Sequence, residues 1–208
     1  MKKHLLINKD IWKFKTNKGG INLLDLKELV VKFFSYAEIE RIEIYNEFSF
    51  QHELGIFLRK ELYSYKIQFE RNVSYFSIGS KTIKKEIDIS IFNNDKTKKY
   101  AIELKHPLNG QYPEQMYSFV KDIKFMEELK ESGFTKNAVV TLVSDRPFYV
   151  GRSNNGIYKY FRDEYRVYGD IFKPTGAMKG KEFIPIKGDY DFTWQPLNGG
   201  RKYFIIEI

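Results

Sequence analysis

The sequence predicts an α/β protein, and three observations predict it. Two stretches with apolar residues at helical spacing come first, then a pair of alternating strands joined by a short turn. After these, a long amphipathic helix leads into a nearly continuous apolar run. A helix followed by such a run fits a crossover connection on a sheet.

Residues 22–36 place Leu23, Leu24, Leu26, Leu29, Val30, Phe33 and Phe34 on a helix, with Asn22 as its cap. Residues 49–63 repeat the pattern through Phe50, Leu54, Phe57, Leu58 and Leu62, with Ser49 placed to cap. Residues 66–76 alternate through Ile67, Phe69, Val73 and Tyr75 with one break in phase. In 83–92, Ile83, Ile87, Ile89 and Ile91 point one way while Glu86 and Asp88 point the other. Residues 93–98 are a turn. In 99–106, Ala101, Glu103 and Lys105 share one face, and Tyr100, Ile102 and Leu104 the other. Pro107, Gly110 and Pro113 mark a loop, 114–133 is a helix ended by Gly133, and 137–144 reads as a central strand buried on both faces. Of the last third, 154–165 reads as a short helix and 169–200 as loop with short strands. Residues 201–208 form a closing strand, either at the sheet edge or as a lid.

With 208 residues, the chain is long enough for one well-buried core and short for two, so residues 1–208 are expected to form a single domain. The net charge of +8 favours a polyanionic partner, since bound cations displace the counterions condensed on phosphates. A Lys-rich but merely soluble surface is the plainer alternative. The absence of cysteine excludes disulfides and thiolate metal sites, and three histidines make a zinc site a poor fit. Any metal is expected on carboxylates, as a hard ion such as Mg²⁺ or Mn²⁺. No apolar run approaches the roughly 20 residues of a membrane span, and none near the start suits a signal peptide, so the expected address is cytoplasmic.

Two alternating strands across a short turn should pair as a hairpin. In the right register Asp88 lies beside Glu103, with Lys105 two residues further along. Two carboxylates so placed can hold a divalent cation that activates water and neutralises charge on a phosphodiester, while Lys105 contacts the scissile phosphate or the attacking water. The plainer alternative is an exposed cross-strand charge pair of Glu103 and Lys105.

Asp88, fourteen residues, then Glu103-Leu104-Lys105 resembles the signature of the PD-(D/E)XK nuclease superfamily, and the order of elements over 49–144 is similar too. The resemblance implies a restriction-endonuclease-like core over 49–144, with a central mixed β-sheet flanked by helices. Residues 1–48 would then be an N-terminal helical extension and 145–208 an aromatic-rich C-terminal one. It further implies a Mg²⁺-dependent nuclease in which Asp88 and Glu103 hold metal and Lys105 stabilises charge. Glu53 would stand for the acidic residue of the family's first core helix and join or support the metal shell. Position 87 is Ile rather than Pro, a place where the family varies. Some branches carry Gln-X-X-X-Tyr on the next helix, whereas here Gln115 is followed by Phe119; Gln115 is thus a candidate to orient phosphate or water.

Among supporting residues, Glu70 is a candidate extra metal ligand and Glu86 either a ligand or a solvated strand start. Lys81, Lys84 and Lys85 could grip the phosphate backbone, while Lys96, Lys98 and Lys99 belong to a solvated turn. His106 should face away from the site, and His52 reads as a surface histidine. Tyr158, Tyr160 and Phe161 read as core, with Tyr190 and Trp194 better placed to stack on bases. The leading expectation is a DNA endonuclease of restriction or defence type, DNA being favoured over RNA, whose cutting of both strands would call for a homodimer. The alternative is a catalytically silent nucleic-acid-binding or regulatory protein on the same fold.

Overall fold

A computed structural model describes residues 23–79 and 81–208. Helix α1 (Leu26–Ile39) starts at Asp25, whose Oδ1 accepts the Glu28 N–H at 2.8 Å; the expected cap, Asn22, lies outside the described residues. Helix α2 (Glu47–Glu61) begins three residues before the start that a Ser49 cap implies. Asn46 is its cap, and Ser49 completes a reciprocal box, giving its N–H to Asn46 Oδ1 at 2.7 Å and accepting the Asn46 N–H at 3.0 Å. This earlier start places Glu47 in the first helical turn.

A six-stranded mixed sheet follows, in the order β1 (Lys66–Asn72), β2 (Glu86–Phe92), β3 (Lys99–Lys105), β4 (Lys136–Val143), β8 (Lys202–Glu207) and β7 (Gln195–Pro196). Strands β1, β2 and β3 are antiparallel, and helix α3 (Tyr112–Glu131) carries the chain across to β4, parallel to β3, with Lys105 opposite Thr141. The buried Asn137 ties this crossover together. Its Oδ1 accepts the Ala101 N–H at 3.2 Å and its Nδ2 donates to the Met126 carbonyl at 2.9 Å, joining β4 to β3 and α3. Among the described residues no helix is long and apolar enough to cross a membrane.

The sheet separates two apolar clusters. Ile89, Ile91, Tyr100, Ile102, Leu104, Val140 and Leu142 pack with α1 and α2 on one face. Ala101, Val139, Val143, Phe204 and the apolar side of α3 fill the other. Gly55 lets α2 come close to the sheet, because a Cβ there would stand 2.2 Å from the Phe69 ring.

Two expectations need correction. Ile83 is exposed and precedes β2, and Ile87 joins the cluster under α3 instead of packing with Ile89 and Ile91. Alternation fails there because β2 leaves its regular pairing with β3 beyond Ile89. Residues 201–208 are neither edge nor lid: β8 lies between β4 and the two-residue β7, so the C-terminal segment builds part of the central sheet. Residues 169–200 hold loop and strands, as expected: β5 (Arg166–Phe172) and β6 (Phe183–Asp191) form a second, two-stranded sheet against α3 and the short helix α4 (Tyr158–Arg162). Glu127 of α3, itself buried, fastens that hairpin by accepting the N–H groups of Lys187 and Gly188 and the Tyr190 hydroxyl.

Candidate active site

Regular β2–β3 pairing runs from Phe92 opposite Lys99 to Ile89 opposite Ile102 and ends there. At the next pair the side chains take over the backbone groups. Leu104 N–H donates to Asp88 Oδ2 at 2.7 Å, and Asp88 N–H donates to Glu103 Oε1 at 3.1 Å. Each acid is thereby oriented by the other's strand. Glu103 is fully buried even though it is charged by nature, which excludes the exposed charge pair on β3.

Helix α3 crosses this face and brings Asp122, 1% exposed, onto the same group. The Lys84 ammonium lies between the two buried acids, bonded to Glu103 Oε2 and, at 3.0 Å, to Asp122 Oδ1. Lys105 extends from the end of β3 to Glu47 Oε1 at 3.1 Å and lies 3.8 Å from Asp122 Oδ2. Glu47 Oε2 also accepts the His106 N–H at 3.1 Å, so one carboxylate of α2 positions both the lysine and the strand end.

Four carboxylates thus meet two ammonium groups in a largely dry setting. Burial pushes the Asp88 carboxyl up to about 6, against the pull of Lys84, the Leu104 N–H and Lys105. Burial, reinforced by Asp88 and Asp122, drives Glu103 well above the usual carboxylate range, and burial also raises Asp122. Burial opposes the charge on Lys84 and Lys105, yet the surrounding carboxylates outweigh it and both lysines hold their protons more tightly than usual. Asp88, Glu103 and Asp122 are thus held above the ordinary carboxylate range chiefly by burial, while both ammonium groups stay charged.

The other expected residues are placed as follows. Glu53 is on α2 but lies beside His52, 3.5 Å from its Nδ1. Six residues separate it from Glu47, a rotation of about 240° around a helix, so Glu47 supplies the helical acid at the site. Glu70 sits across from Asp88 on β1 in left-handed backbone conformation (φ 46°), and Gln51 of α2 donates from one amide to Glu70 Oε1 and to the Asp88 carbonyl at 2.9 Å. Glu86 is exposed. Lys84 is engaged inside the acidic group rather than displayed for phosphate, whereas Lys81 and Lys85 are exposed. Gln115 donates to Asn109 Oδ1 at 3.0 Å. His106 is buried with Nδ1 against the Leu142 carbonyl at 3.1 Å, and burial lowers its pKa. Trp194 is buried and donates to the Phe161 carbonyl, and the Tyr190 hydroxyl is held by Glu127, so neither is displayed for stacking.

Asp122 and Glu47 were missed by sequence reasoning. Asp122 had a signal: it follows Phe119 and precedes Ile123 and Met126 on the apolar side of α3, where an unpaired acid is costly. Glu47 had none beyond the helix start, which the Asn46 cap sets.

A cleft of about 690 Å³ lies elsewhere, among residues such as Tyr158, Tyr160, Ile171, Phe172 and Lys173. Asp170 is the one acid in its lining, so it lacks paired carboxylates, and chemistry rather than volume marks the site.

The donors gathered at β2, β3 and α3 are carboxylate oxygens, which suit Mg²⁺ or Mn²⁺. Asp122 Oδ2 is buried and accepts no hydrogen bond, with the Lys105 ammonium 3.8 Å away. Among the described residues, however, no three acidic or histidine side chains are arranged to hold a metal as they stand; the Lys84 ammonium takes the place between Glu103 and Asp122. The donors match a hard cation in type, as carboxylate oxygens.

Compared with known proteins, the chain matches no family model and no curated protein.

Proposed function

We propose that the chain is a metal-dependent phosphodiesterase of the restriction-endonuclease-like type, most simply a DNA endonuclease. One observation supports this above the rest: Asp88 and Glu103 meet at the point where β2 and β3 separate, with Lys105 beside them, and Glu103 is buried at the cost of its solvation. The element order α2, β1, β2, β3, α3, β4, with β4 parallel to β3, is also the order that the resemblance calls for.

In this reading Asp88 and Glu103 hold Mg²⁺, with Asp122 as a third acid facing the same space. When bound, the ion would lower the pKa of water and neutralise charge on the phosphodiester. Lys105, kept charged by Asp122 and Glu47, donates to the phosphate oxygen on which charge develops. Glu47 is a positioning residue that aims this ammonium. Exposed Lys81 and Lys85 contact the phosphate backbone.

Purified protein incubated with plasmid DNA or RNA is expected to cut in Mg²⁺ and not in EDTA. Lys105→Ala should slow cutting by about a hundredfold or more with the fold intact. Cutting that persists in EDTA or in the Lys105 variant rejects the assignment. A second reading, a binder without cleavage, is favoured by the Lys84 ammonium between the acids; nucleic-acid binding without cutting under all metals would select it.

The pH dependence has a definite sign. Asp88 is protonated in the folded protein below about 6 and cannot then serve a cation, so cleavage should climb as pH rises through that value. Stability without metal runs the other way. The unfolded carboxyl releases its proton near 3.8 while the folded one retains it to about 6, so Asp88 costs stability progressively across that window. Asp88→Asn should therefore gain in melting temperature over the wild type on passing from pH ~4.5 to ~7.5 in EDTA. An unchanged difference between the two proteins would contradict the raised carboxyl.

A further inference from the structure

We infer that Lys84 is a displaceable internal cation, which neutralises Glu103 and Asp122 in the free protein and yields its place to a divalent metal ion, thereby releasing its ammonium to the nucleic-acid backbone beside Lys81 and Lys85. The inference rests on the nuclease reading above and adds a residue that reading leaves unexplained.

Two features make Lys84 a stand-in for a metal. It bridges two almost fully buried carboxylates from separate elements, β3 and α3, which is the bridging role a divalent ion would take. Even so it leaves Asp122 incompletely satisfied: its Oδ2 is buried without a hydrogen bond, the Lys105 ammonium standing 3.8 Å away. A divalent ion supplies twice the charge of an ammonium and can accept both Asp122 oxygens.

Two further features make it free to leave, unlike Lys105. Lys105 ends a strand paired on both sides and is fastened by Glu47. Lys84 precedes β2 in a segment without regular pairing, where Ile83 N–H is held by Glu128 Oε2 at 2.7 Å and the Thr82 hydroxyl donates to the Lys84 carbonyl. Its side chain retains 27% exposure, so the flexible stem has a route to solvent without unfolding the sheet. The neighbouring Lys81 and Lys85 are already exposed. A lysine swung outward would join them and add one phosphate contact, so metal and nucleic acid would each tighten the binding of the other.

Acylation of the whole chain by a small amine-reactive ester, read by peptide mass spectrometry, tests this with Lys81 and Lys85 as internal references. In EDTA, Lys84 should react about tenfold more slowly than either; in excess Mn²⁺ its rate should approach theirs. Mn²⁺ binding, followed by electron paramagnetic resonance, should tighten by about tenfold in Lys84→Ala, or in Lys84→Gln if the first variant fails to fold. Mn²⁺ binding to the wild type with Lys84 still protected, or no gain in affinity in a folded variant, overturns the inference and leaves the nuclease reading standing. Failure of both wild type and variant to bind Mn²⁺ removes the metal reading and the inference with it.

Discussion

Glu103→Gln is expected to reduce cleavage by about a thousandfold or more while leaving the melting temperature in EDTA equal to or above that of the wild type. Glutamine keeps the shape and one oxygen to accept the Asp88 N–H, while its amide NH₂, a donor facing the Lys84 ammonium, leaves that lysine to Asp122. It removes a charge that burial and the neighbouring acids Asp88 and Asp122 all oppose. Lys84 loses one carboxylate but retains Asp122 at 3.0 Å. A side chain held for stability alone would behave in the opposite way, since breaking a buried pair leaves an uncompensated charge that typically costs about 3–5 kcal/mol. Glu103→Ala is a poorer probe because it adds a cavity. Parallel melts and cleavage assays decide the matter: a large loss of stability in Glu103→Gln with cleavage retained would make the group a structural ion pair.

Phe204→Ala should destabilise the fold by about 3–5 kcal/mol, the largest effect expected of any single truncation outside the site. The ring is fully buried on β8, with centroids of Phe192 at 4.5 Å and Trp194 at 5.0 Å and Phe119 and Phe161 further out. Removing it opens a cavity lined by four aromatic rings, which are stiff and refill space badly. In a chain of this size the loss corresponds to a fall in melting temperature of roughly 10 °C. Phe48→Ala, at an exposed aromatic on α2, is the matched control and should change little. Urea unfolding of both variants measures the difference. Comparable effects would mean that β8 is not built into the core as described.

Much of this arrangement is readable from residue patterns, and the exceptions have physical causes. Helices α2 and α3 and strands β2 to β4 follow from spacing, because each has one strongly apolar face or, for β4, two. Asp88, Glu103 and Lys105 could be placed on neighbouring strands from alternation and turn length alone. What alternation cannot supply is the third dimension. Asp122 enters the group through the crossover, and Lys84 through a segment with no period at all. Glu53 had the right helix but the wrong side of it, since a three-residue error in the helix start conceals Glu47. The β5–β6 hairpin was hidden by its glycines and prolines, and its attachment depends on Glu127, whose carboxylate serves backbone groups sixty residues away. The interior position of β8 could not be read because a short segment with an apolar centre and charged ends suits an edge and a centre equally well.

The sheet's two outer margins bear on how copies of this protein could associate. On one side the margin is β7, only two residues long and led by Gln195 and Pro196. On the other it is β1, where the left-handed turn of backbone at Glu70 interrupts the row of outward-facing amides and carbonyls. Neither margin offers the long, flat template that strand-by-strand joining requires. Two molecules cutting opposite DNA strands would therefore have to meet through helices or loops, and the same interruptions guard the protein against ribbon-like aggregation.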